Sequence, residues 1–384
     1  MDRTRRNLLI SAGGGTLALL GAGTVFAGTR TPHRALAPWS APATPSEDLR
    51  LDVFRHAILA PNPHNRQPWL ITLIGKNEAL IHCDLDRRLP VTDPFDRQIT
   101  IGFGCFLELA RIAAAEKGVG LAVSEFPEGM RDASARLDGR PIAHLKFAGD
   151  ARPDPLFGVI PIRRSTKAPF DTERPVSQAA IALLAAEGSA RARVGETNDL
   201  PLVKDLRTLT WTAWMVEANT HAAFKESVDL MRIGKAEIEA NPDGIALGGT
   251  MLEAMALAGL LSREQMLNTT STAFRAGIDK YRPIVNSAMG YSWIVTHGNT
   301  RSDQLEAGRV YVRMNLQAVR AGLSMHPVSQ ALQEFPEMAK ARDDVRGRLS
   351  VVAGDTLQML ARLGYAAPAM PSARWPVESR IRTA

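Results

Sequence analysis

The 384-residue sequence has little cysteine, and this shortage limits the kinds of site that it can form. Its two cysteines, Cys83 and Cys105, form no CxxC pair and show no His/Cys ligand spacing, which argues against a metal site. We expect two buried free thiols, with a disulfide between them as the alternative in an oxidising compartment. Lysine and arginine are scattered among acidic residues at a net charge of +6, with no basic stripe that alternates with aromatic residues. Nucleic acid is therefore not an expected partner.

The sequence also lacks the spacing of the common catalytic motifs. It has no Ser/His/Asp arrangement, no HExxH and no P-loop, and its N-terminal glycines lack the GxGxxG pattern of a dinucleotide loop. No set of catalytic side chains is identified, so the catalytic residues stay unassigned at this point.

The first 27 residues have the composition of a targeting signal. A basic N-terminal region precedes a glycine-rich apolar run. This run is too short and too weakly hydrophobic for a typical membrane-spanning helix. The adjacent Arg5 and Arg6 resemble a twin-arginine export signal, and Ala27 offers a cleavage point before the Pro-rich tether at 28–46. The resemblance implies passage through the twin-arginine translocase to the periplasm. An uncleaved signal that anchors the protein in the membrane is the alternative.

Two segments in the body of the chain have the same pattern. Residues 104–118 and 308–322 each run from glycine to glycine, carry apolar residues on one helical face, and end at a glycine that fits a helix C-cap. An Asp-bearing turn precedes each segment and a predicted strand follows it. The matching order predicts a duplicated unit, and the alternative is that any two amphipathic helices look alike.

The remaining pattern predicts an α+β fold in two related halves, 47–154 and 155–384. "WLITLIGKNEALIHCDLD" is typical of a hairpin and "PIAHLKFAGD" of a further strand, with "NSAMGYSWIVTH" as the expected counterpart of that strand in the second half. Residues 205–275 are predicted to be helical throughout, with no partner in the first half. We therefore expect an inserted segment that serves as core or as a lid, with one mixed sheet per half.

The segment "APNPHNRQPW", residues 60–69, combines three prolines with several side-chain amides. The prolines exclude a helix and stiffen the backbone. A stiff loop loses little entropy when it binds a ligand, so this segment is a candidate binding loop.

A second unusual segment, "RRSTK", lies at the start of the second half. Arg163, Arg164, Ser165 and Lys167 place three cations and a hydroxyl within five residues, which suits an anionic phosphate. Taken alone, a solvated basic turn is the alternative interpretation.

Together the two segments resemble the flavin-dependent nitroreductase family. Arg163, Ser165 and Lys167 fit its "R-x-S-x-K/R" segment, and residues 60–69 fit its "A-P-S-x-x-N-x-Q-P-W" loop, with Asn62 in place of serine. Two further stretches, "GLSMHPVSQALQE" and "RLGYAAPAMPSARWPV", resemble the family's later motifs. The loop occurs only in the first half and the basic segment only in the second. This resembles the Acg-like branch, in which a fused pseudo-dimer keeps one site in a single chain.

The resemblance implies that the chain binds FMN and acts as a nitroreductase-like oxidoreductase on a small electron-poor or quinone-like acceptor. It implies a monomer, since the pseudo-dimer lies within one chain, and leaves the electron donor open. The alternative is a protein that sequesters flavin beneath a lid and does not turn over. His64 and His326 are candidate proton donors, whereas Gln67 and Trp69 are expected to anchor the loop. The cofactor-binding residues implied are Pro61, Asn62, Pro63, His64, Asn65, Arg163, Arg164, Ser165, Lys167, Ser329, Gln330 and Arg374.

Overall fold

The computed structural model of the chain describes residues 29–43 and 45–382. The predicted export signal at 1–27 lies outside the described residues.

The strands form two larger sheets and one small pair. In chain order they are β1 Trp69–Ile74, β2 Glu78–Cys83, β3 Val119–Glu125, β4 Ala143–Asp150, β5 Ala192–Thr197, β6 Met231–Ile233, β7 Ile245–Leu247, β8 Gly290–His297, β9 Ser324–Pro327, β10 Asp355–Gly364 and β11 Ile381–Arg382. The first sheet has the order β11-β1-β2-β4-β3 and the second the order β5-β8-β10-β9. The small pair, β6 and β7, is parallel.

The helices surround these sheets and pass between them. In chain order they are α1 His33–Leu36, α2 Leu49–Ala57, α3 Arg97–Glu116, α4 Gln178–Ala185, α5 Leu200–Asn219, α6 His221–Asp229, α7 Gly234–Ala240, α8 Thr250–Leu257, α9 Arg263–Leu267, α10 Thr272–Asn286, α11 Arg301–Arg320 and α12 Ala339–Arg348. The main apolar core collects side chains from α3, α11 and both larger sheets. A second apolar cluster lies between α5, α12 and the strands β8 and β10.

The two larger sheets have the same connections. The first runs α2, β1, β2, α3, β3, β4 along the chain, and the second runs α4, β5, β8, α11, β9, β10. The four strands of each series follow the same order in their sheet, and neighbouring strands within each series pair antiparallel. The C-terminal β11 then returns to the first sheet and pairs parallel with β1. The first sheet is thus mixed, as expected, and the second is purely antiparallel, so the expectation of a mixed sheet in each half is wrong for the second.

The long central helices α3 and α11 meet at two glycines. A Cβ on Gly104 would overlap the carbonyl oxygen of Leu305, and a Cβ on Gly308 would overlap that of Ile101. Each overlapped residue lies three positions before the glycine of its own helix, so the contact is reciprocal. The predicted C-caps are also present, because Gly118 and Gly322 follow the two helices with φ of 74° and 68°. Among the described helices, only α3 is long and apolar enough to cross a membrane. Its apolar stretch is 94% buried inside the protein.

The inserted segment differs in part from its prediction. It fills the whole connection between β5 and β8, residues 198–289, where the first half has only the short turn between β1 and β2. It also contains β6 and β7, which are too short for an alternating pattern to reveal. The strand at 290–297 precedes α11 as β2 precedes α3, so it corresponds to β2, and the predicted correspondence with 143–150 is wrong.

Cys83 and Cys105 are free and buried, as expected. Cys105 Sγ donates to the carbonyl oxygen of Gly308 at 3.2 Å, within the glycine contact of the central helices. Burial raises the pKa of its thiol to about 12, so it stays protonated near neutral pH.

Candidate functional site

The proline-rich loop has a strained backbone. His64, Asn65 and Gln67 have φ of 47°, 53° and 50°. These values lie in the left-handed region, which residues other than glycine rarely adopt. The loop rests on α3, where a Cβ on Gly102 would lie 3.1 Å from the Cβ of Asn62 and 3.4 Å from Cδ of Pro63. Strain of this kind persists only where surrounding contacts fix it, and it is common at binding sites.

The amides of this loop are engaged by the protein itself. Asn62 Oδ1 accepts from the Gln67 backbone N–H at 2.7 Å. Asn65 donates to the carbonyl oxygen of Ala373 at 2.9 Å and accepts from Arg374 at 2.5 Å. In this conformation the C-terminal segment thus contacts both ends of the Asn65 amide, and ligand binding by Asn65 stays a prediction.

Gln67 and Trp69 anchor the loop, as expected. Gln67 is fully buried, donates to the carbonyl oxygen of Pro242 at 2.7 Å and accepts from the Trp375 N–H at 2.9 Å. Trp69 packs in the core, with its ring stacked at 5.1 Å on Phe106.

Three arginines from distant parts of the chain meet around one aromatic ring. The guanidinium carbons of Arg163, Arg164 and Arg374 lie 5.8, 4.4 and 5.3 Å from the centre of the Trp39 ring. Arg163 and Arg374 both donate to the carbonyl oxygen of Leu59, just before the proline-rich loop. Within the described part of the chain, none of the three arginines forms a salt bridge with an acidic residue.

Burial and mutual repulsion act on this cluster. Burial, assisted by the charges of Arg163 and Arg164, lowers the pKa of Arg374 well below its usual value. Burial likewise lowers the pKa of Arg163 to about 10. Its Nε is buried and has no hydrogen-bond partner among the residues that the structure describes. Concentrated positive charge with an unpaired donor is the arrangement that an anion stabilises.

Arg374 and Arg163 are less peripheral than phosphate ligands at a pocket rim would be. Every guanidinium nitrogen of Arg374 donates to a protein oxygen, at Ile58, Leu59, Ala60, Asn65, Ser372 or Ala373. Arg163 is only 2% exposed and also donates to Asn315 Oδ1 at 2.9 Å. In this conformation Arg374 positions the loop, so any anion contact from it would be shared with these acceptors.

Residues 35–39 of the segment at 28–46, which was predicted to be a tether, pack against this cluster. The segment forms α1 and a short 3-10 helix, Ala37–Trp39. Trp39 donates from Nε1 to the carbonyl oxygen of Ser372 at 2.7 Å. The backbone N–H of Arg374 donates to the carbonyl oxygen of Ala35 at 2.9 Å. Apolar residues among the prolines account for this docking, since Ala35 and Trp39 are buried.

Lys167 is exposed to solvent, yet the protein around it lowers its pKa. We infer from these two facts that Lys167 lines a recess in the surface beside the loop. Its charge helps to lower the pKa of His64 to about 4, after burial as the larger cause. Ser165 lies next to the buried hydroxyl of Tyr311 without forming a hydrogen bond of regular geometry.

The residues around Glu217, whose charge acts on Lys167, come from the second half, as Lys167 itself does. Ser329 and Gln330 are half-buried at the start of the short 3-10 helix Ser329–Leu332. Gln330 lies close to both Glu217 and Tyr281. The Tyr281 ring stacks on Trp214 at 4.7 Å between centroids, which gives this side an aromatic wall.

His326 is buried and paired with Arg362, and its role as a proton donor stays a prediction. It is 2% exposed, and its Nδ1 accepts from Nε of Arg362 at 2.9 Å. Burial and the charge of Arg362 hold the pKa of His326 well below its usual range. Arg362 also donates to the carbonyl oxygens of Thr166 and Ala168, so this buried pair supports the backbone on both sides of Lys167.

The inserted segment reaches the loop around Asp243 and at Ser227. Asp243 accepts from Arg66 at 3.0 Å, from Arg87 at 2.8 Å and from Arg232 at 2.8 Å, which ties the loop to the segment between β6 and β7. Ser227, in α6, lies with its Oγ 3.0 Å from Nε2 of His64.

Sequence reasoning missed several residues of the site. The only sign of Arg362 and Asn315 in the sequence was their polarity, Arg362 within an apolar strand and Asn315 on an apolar helical face. Glu217 and Ser227 lie in the insertion, where no motif pointed to the loop. Trp39 lies in a segment whose prolines predicted a tether.

Comparison with protein-family models finds no match for the chain. An uncharacterised protein of Mycobacterium tuberculosis is 25% identical over 334 residues, which are 85% of this chain and 90% of that protein. A protein of the same organism named "putative NAD(P)H nitroreductase" is 25% identical over 330 residues, 84% of this chain and 86% of that protein. Among solved structures, the FMN-dependent nitroreductase NfnB of Mycobacterium smegmatis in complex with NADPH has 18% identity and a TM-score of 0.33, over 53% of this chain and 84% of its own.

Proposed function

We propose that this chain is an FMN-dependent oxidoreductase of the nitroreductase type, with one flavin site, that reduces a small electron-poor or quinone-like acceptor. The observation that carries the proposal is the cluster of Arg163, Arg164 and Arg374 without an acidic partner in the described residues, next to the recess that Lys167 faces. A phosphate-bearing planar ligand needs both features. The 25% identical mycobacterial relative named "putative NAD(P)H nitroreductase" supports the same class.

The residues present fit the cofactor. Two buried polar atoms, Nε of Arg163 and the hydroxyl of Tyr311, lack hydrogen-bond partners within the described residues and border the cluster and Ser165. The arginines would hold the phosphate through charge-assisted hydrogen bonds. Ser165 would contact the part of the cofactor between the phosphate and the ring.

When bound, the flavin would supply hydride and electron transfer, which no side chain of this site provides. The protein's own contribution is positioning, exclusion of water and electrostatics. Lys167 would stabilise the negative charge that reduction adds to the ring. The stiff loop would fix one edge of the ring at low entropic cost, since its backbone is already constrained by Asn62, Gln67 and Arg374.

We further propose that the chain is a fused pseudo-dimer of the Acg-like type and acts as a monomer. The identical connection order of the two larger sheets and the reciprocal contact of Gly104 with Gly308 support a duplication. The loop comes from the first half and Arg163 and Lys167 from the second, which is how a site between two subunits would look after fusion.

Storage of flavin beneath a lid is the alternative function. It requires the inserted segment to cover the ring, and that segment does contact the loop through Asp243 and Ser227. The relative named "putative NAD(P)H nitroreductase" does not favour storage.

We also propose export to the periplasm through the twin-arginine translocase. Support comes from the sequence of residues 1–27 alone.

The visible spectrum of the purified protein tests the proposed function. We expect the absorption bands of oxidised flavin, bleached by dithionite and by a suitable biological reductant without oxygen, and restored by a quinone. A flavin that dithionite reduces but that no quinone reoxidises would indicate storage. A colourless protein that takes up no FMN would contradict both functions.

A further inference from the structure

The inserted segment joins the loop through a chain of buried hydrogen bonds. Nε2 of His64 lies 3.0 Å from Oγ of Ser227, which in turn lies 2.9 Å from Oε1 of Glu217. Gln333 donates from Nε2 to the other carboxyl oxygen of Glu217 at 2.9 Å. Ser227 and Glu217 are 4% and 6% exposed, so water does not compete for these contacts. The three side chains therefore form one continuous path from the insertion to the loop.

The ionisation of Glu217 determines the direction of this path, because the Ser227 hydroxyl has one hydrogen. If Glu217 is a carboxylate, Ser227 donates to it and His64 donates from Nε2 to Ser227. If Glu217 is a carboxylic acid, it donates to Ser227 and Ser227 donates to His64 Nε2. The neutral imidazole then carries its hydrogen on Nδ1, for which no acceptor is present among the described residues.

Electrostatics shifts both ends of the path toward their neutral forms. Burial raises the pKa of Glu217, whereas burial and the charges of Lys167 and Arg66 lower the pKa of His64 to about 4. The second arrangement, with a carboxylic acid at one end and a neutral imidazole at the other, is the one that a proton relay toward His64 requires. The other groups that face Glu217 are Lys167, Glu226, Tyr281, Gln330 and Gln333.

On the basis of the proposed function, we propose that His64 is the catalytic proton donor and that Ser227 and Glu217 are its positioning residues, forming a proton relay from the insertion to the acceptor. His64 is half-buried next to the recess and is held in place by a left-handed backbone with φ of 47°. The insertion would then complete the active site rather than merely cover it.

The step balances as follows. The acceptor gains an electron pair, supplied under the proposed function by the flavin and ultimately by a two-electron reductant of the nicotinamide or quinol class. It gains the proton from His64 Nδ1 as that N–H bond breaks. Nε2 takes the hydrogen of Ser227, and Ser227 takes that of Glu217, which becomes a carboxylate. When Nδ1 then takes a proton from water, Nε2 returns its hydrogen to Ser227 and Ser227 returns its own to Glu217, so the starting state is restored.

The tautomer of His64 tests the hydrogen-bonded path without any turnover. In the purified full-length protein labelled with ¹⁵N-histidine, we expect His64 to be neutral with its hydrogen on Nδ1, with the signal identified by its loss in His64→Gln. Glu217→Gln should keep this tautomer, because its amide donates to Ser227 as the carboxylic acid does. Ser227→Ala should lose the tautomer preference. A wild-type His64 with its hydrogen on Nε2 would overturn the relay.

Single-turnover reoxidation tests the proton transfer. Dithionite-reduced protein is mixed with 1,4-benzoquinone in H₂O and in D₂O. General acid catalysis contributes about 10²-fold or more, so we expect Glu217→Gln to slow reoxidation by at least about 10-fold and to lose the solvent isotope effect. The matched control is Glu108→Gln, on α3, whose carboxylate is also buried but accepts from Arg111 and Arg313. It should retain the wild-type rate and isotope effect.

The two proposals fail in different ways. Flavin that is bound and reoxidised equally fast in wild type and Glu217→Gln would overturn the relay and leave the proposed function standing. Protein that binds no flavin would overturn the proposed function, and with it the catalytic role of His64, whatever the tautomer.

Discussion

Arg163→Ala tests the arginine cluster most directly. The substitution removes hydrogen bonds to the carbonyl oxygen of Leu59 and to Asn315, and hydrogen bonds to charged groups are worth about 1.5–3 kcal/mol each. It also relieves the repulsion that Arg163 exerts on Arg374. In the flavin-free protein these effects oppose each other, so we expect a smaller loss in the free energy of unfolding than the two hydrogen bonds alone would give.

The effect on FMN binding is not offset in this way. Loss of one charge-assisted contact should weaken FMN binding by about 10- to 100-fold. At a free FMN concentration 100 times the wild-type Kd, the ligand stabilises the folded wild type by about 2.7 kcal/mol. The same concentration should stabilise Arg163→Ala by only about 0.4–1.4 kcal/mol.

Thermal unfolding at a series of FMN concentrations measures this difference. Arg301→Ala is the matched control, because Arg301 is equally buried and donates to the carbonyl oxygens of Phe95 and Ala135, away from the cluster. It should lower the stability of the flavin-free protein and keep the full FMN-dependent shift. An unchanged FMN shift in Arg163→Ala would refute the assignment of the cluster to the phosphate.

Four further outcomes are expected. Replacing Arg5 and Arg6 with lysine should trap the full-length precursor in the cytoplasm, as fractionation and immunoblotting would reveal; normal periplasmic yield would contradict the export signal. Quantified flavin per chain should be close to one, and a ratio near two would contradict the single site. Lys167→Ala should retain FMN better than Arg163→Ala but lower its midpoint potential, and an unchanged potential would exclude Lys167 from the ring. Burial raises the pKa of Asp93 to about 7, above its usual 3.8, so its contribution to stability should be full below about pH 4 and decline up to about pH 7; the melting temperature of Asp93→Asn should vary less over this interval.

Local patterns predicted the parts of the fold that depend on local chemistry. The glycine C-caps at Gly118 and Gly322 and the hairpin at 69–83 follow from backbone freedom and alternation, and they are present. The pairing of β11 with β1 was not predictable, because it joins residues more than 300 positions apart through a two-residue strand without a pattern of its own.

The candidate site was predictable only where a motif was available. The loop and the basic segment could be recognised, and the structure brings Arg163 and Arg374 to the same carbonyl group. The roles of individual amides were not predictable: whether Asn65 faces a ligand or the protein depends on the position of Ala373, 308 positions away. The link between His64 and Ser227 spans 163 positions and depends on how the insertion folds back.

Under the proposed duplication, the insertion between β5 and β8 has a consequence for how the chain can evolve. In a symmetric homodimer one gene encodes both copies, so an added segment appears at both sites or at neither. Here the connection between β1 and β2 is a tight turn, whereas residues 198–289 occupy the equivalent connection in the second half. Such asymmetry requires the two halves to be encoded separately within one reading frame. Selection can then elaborate one half while the other keeps its original connection, whereas Gly104 and Gly308 must each be preserved by a separate codon.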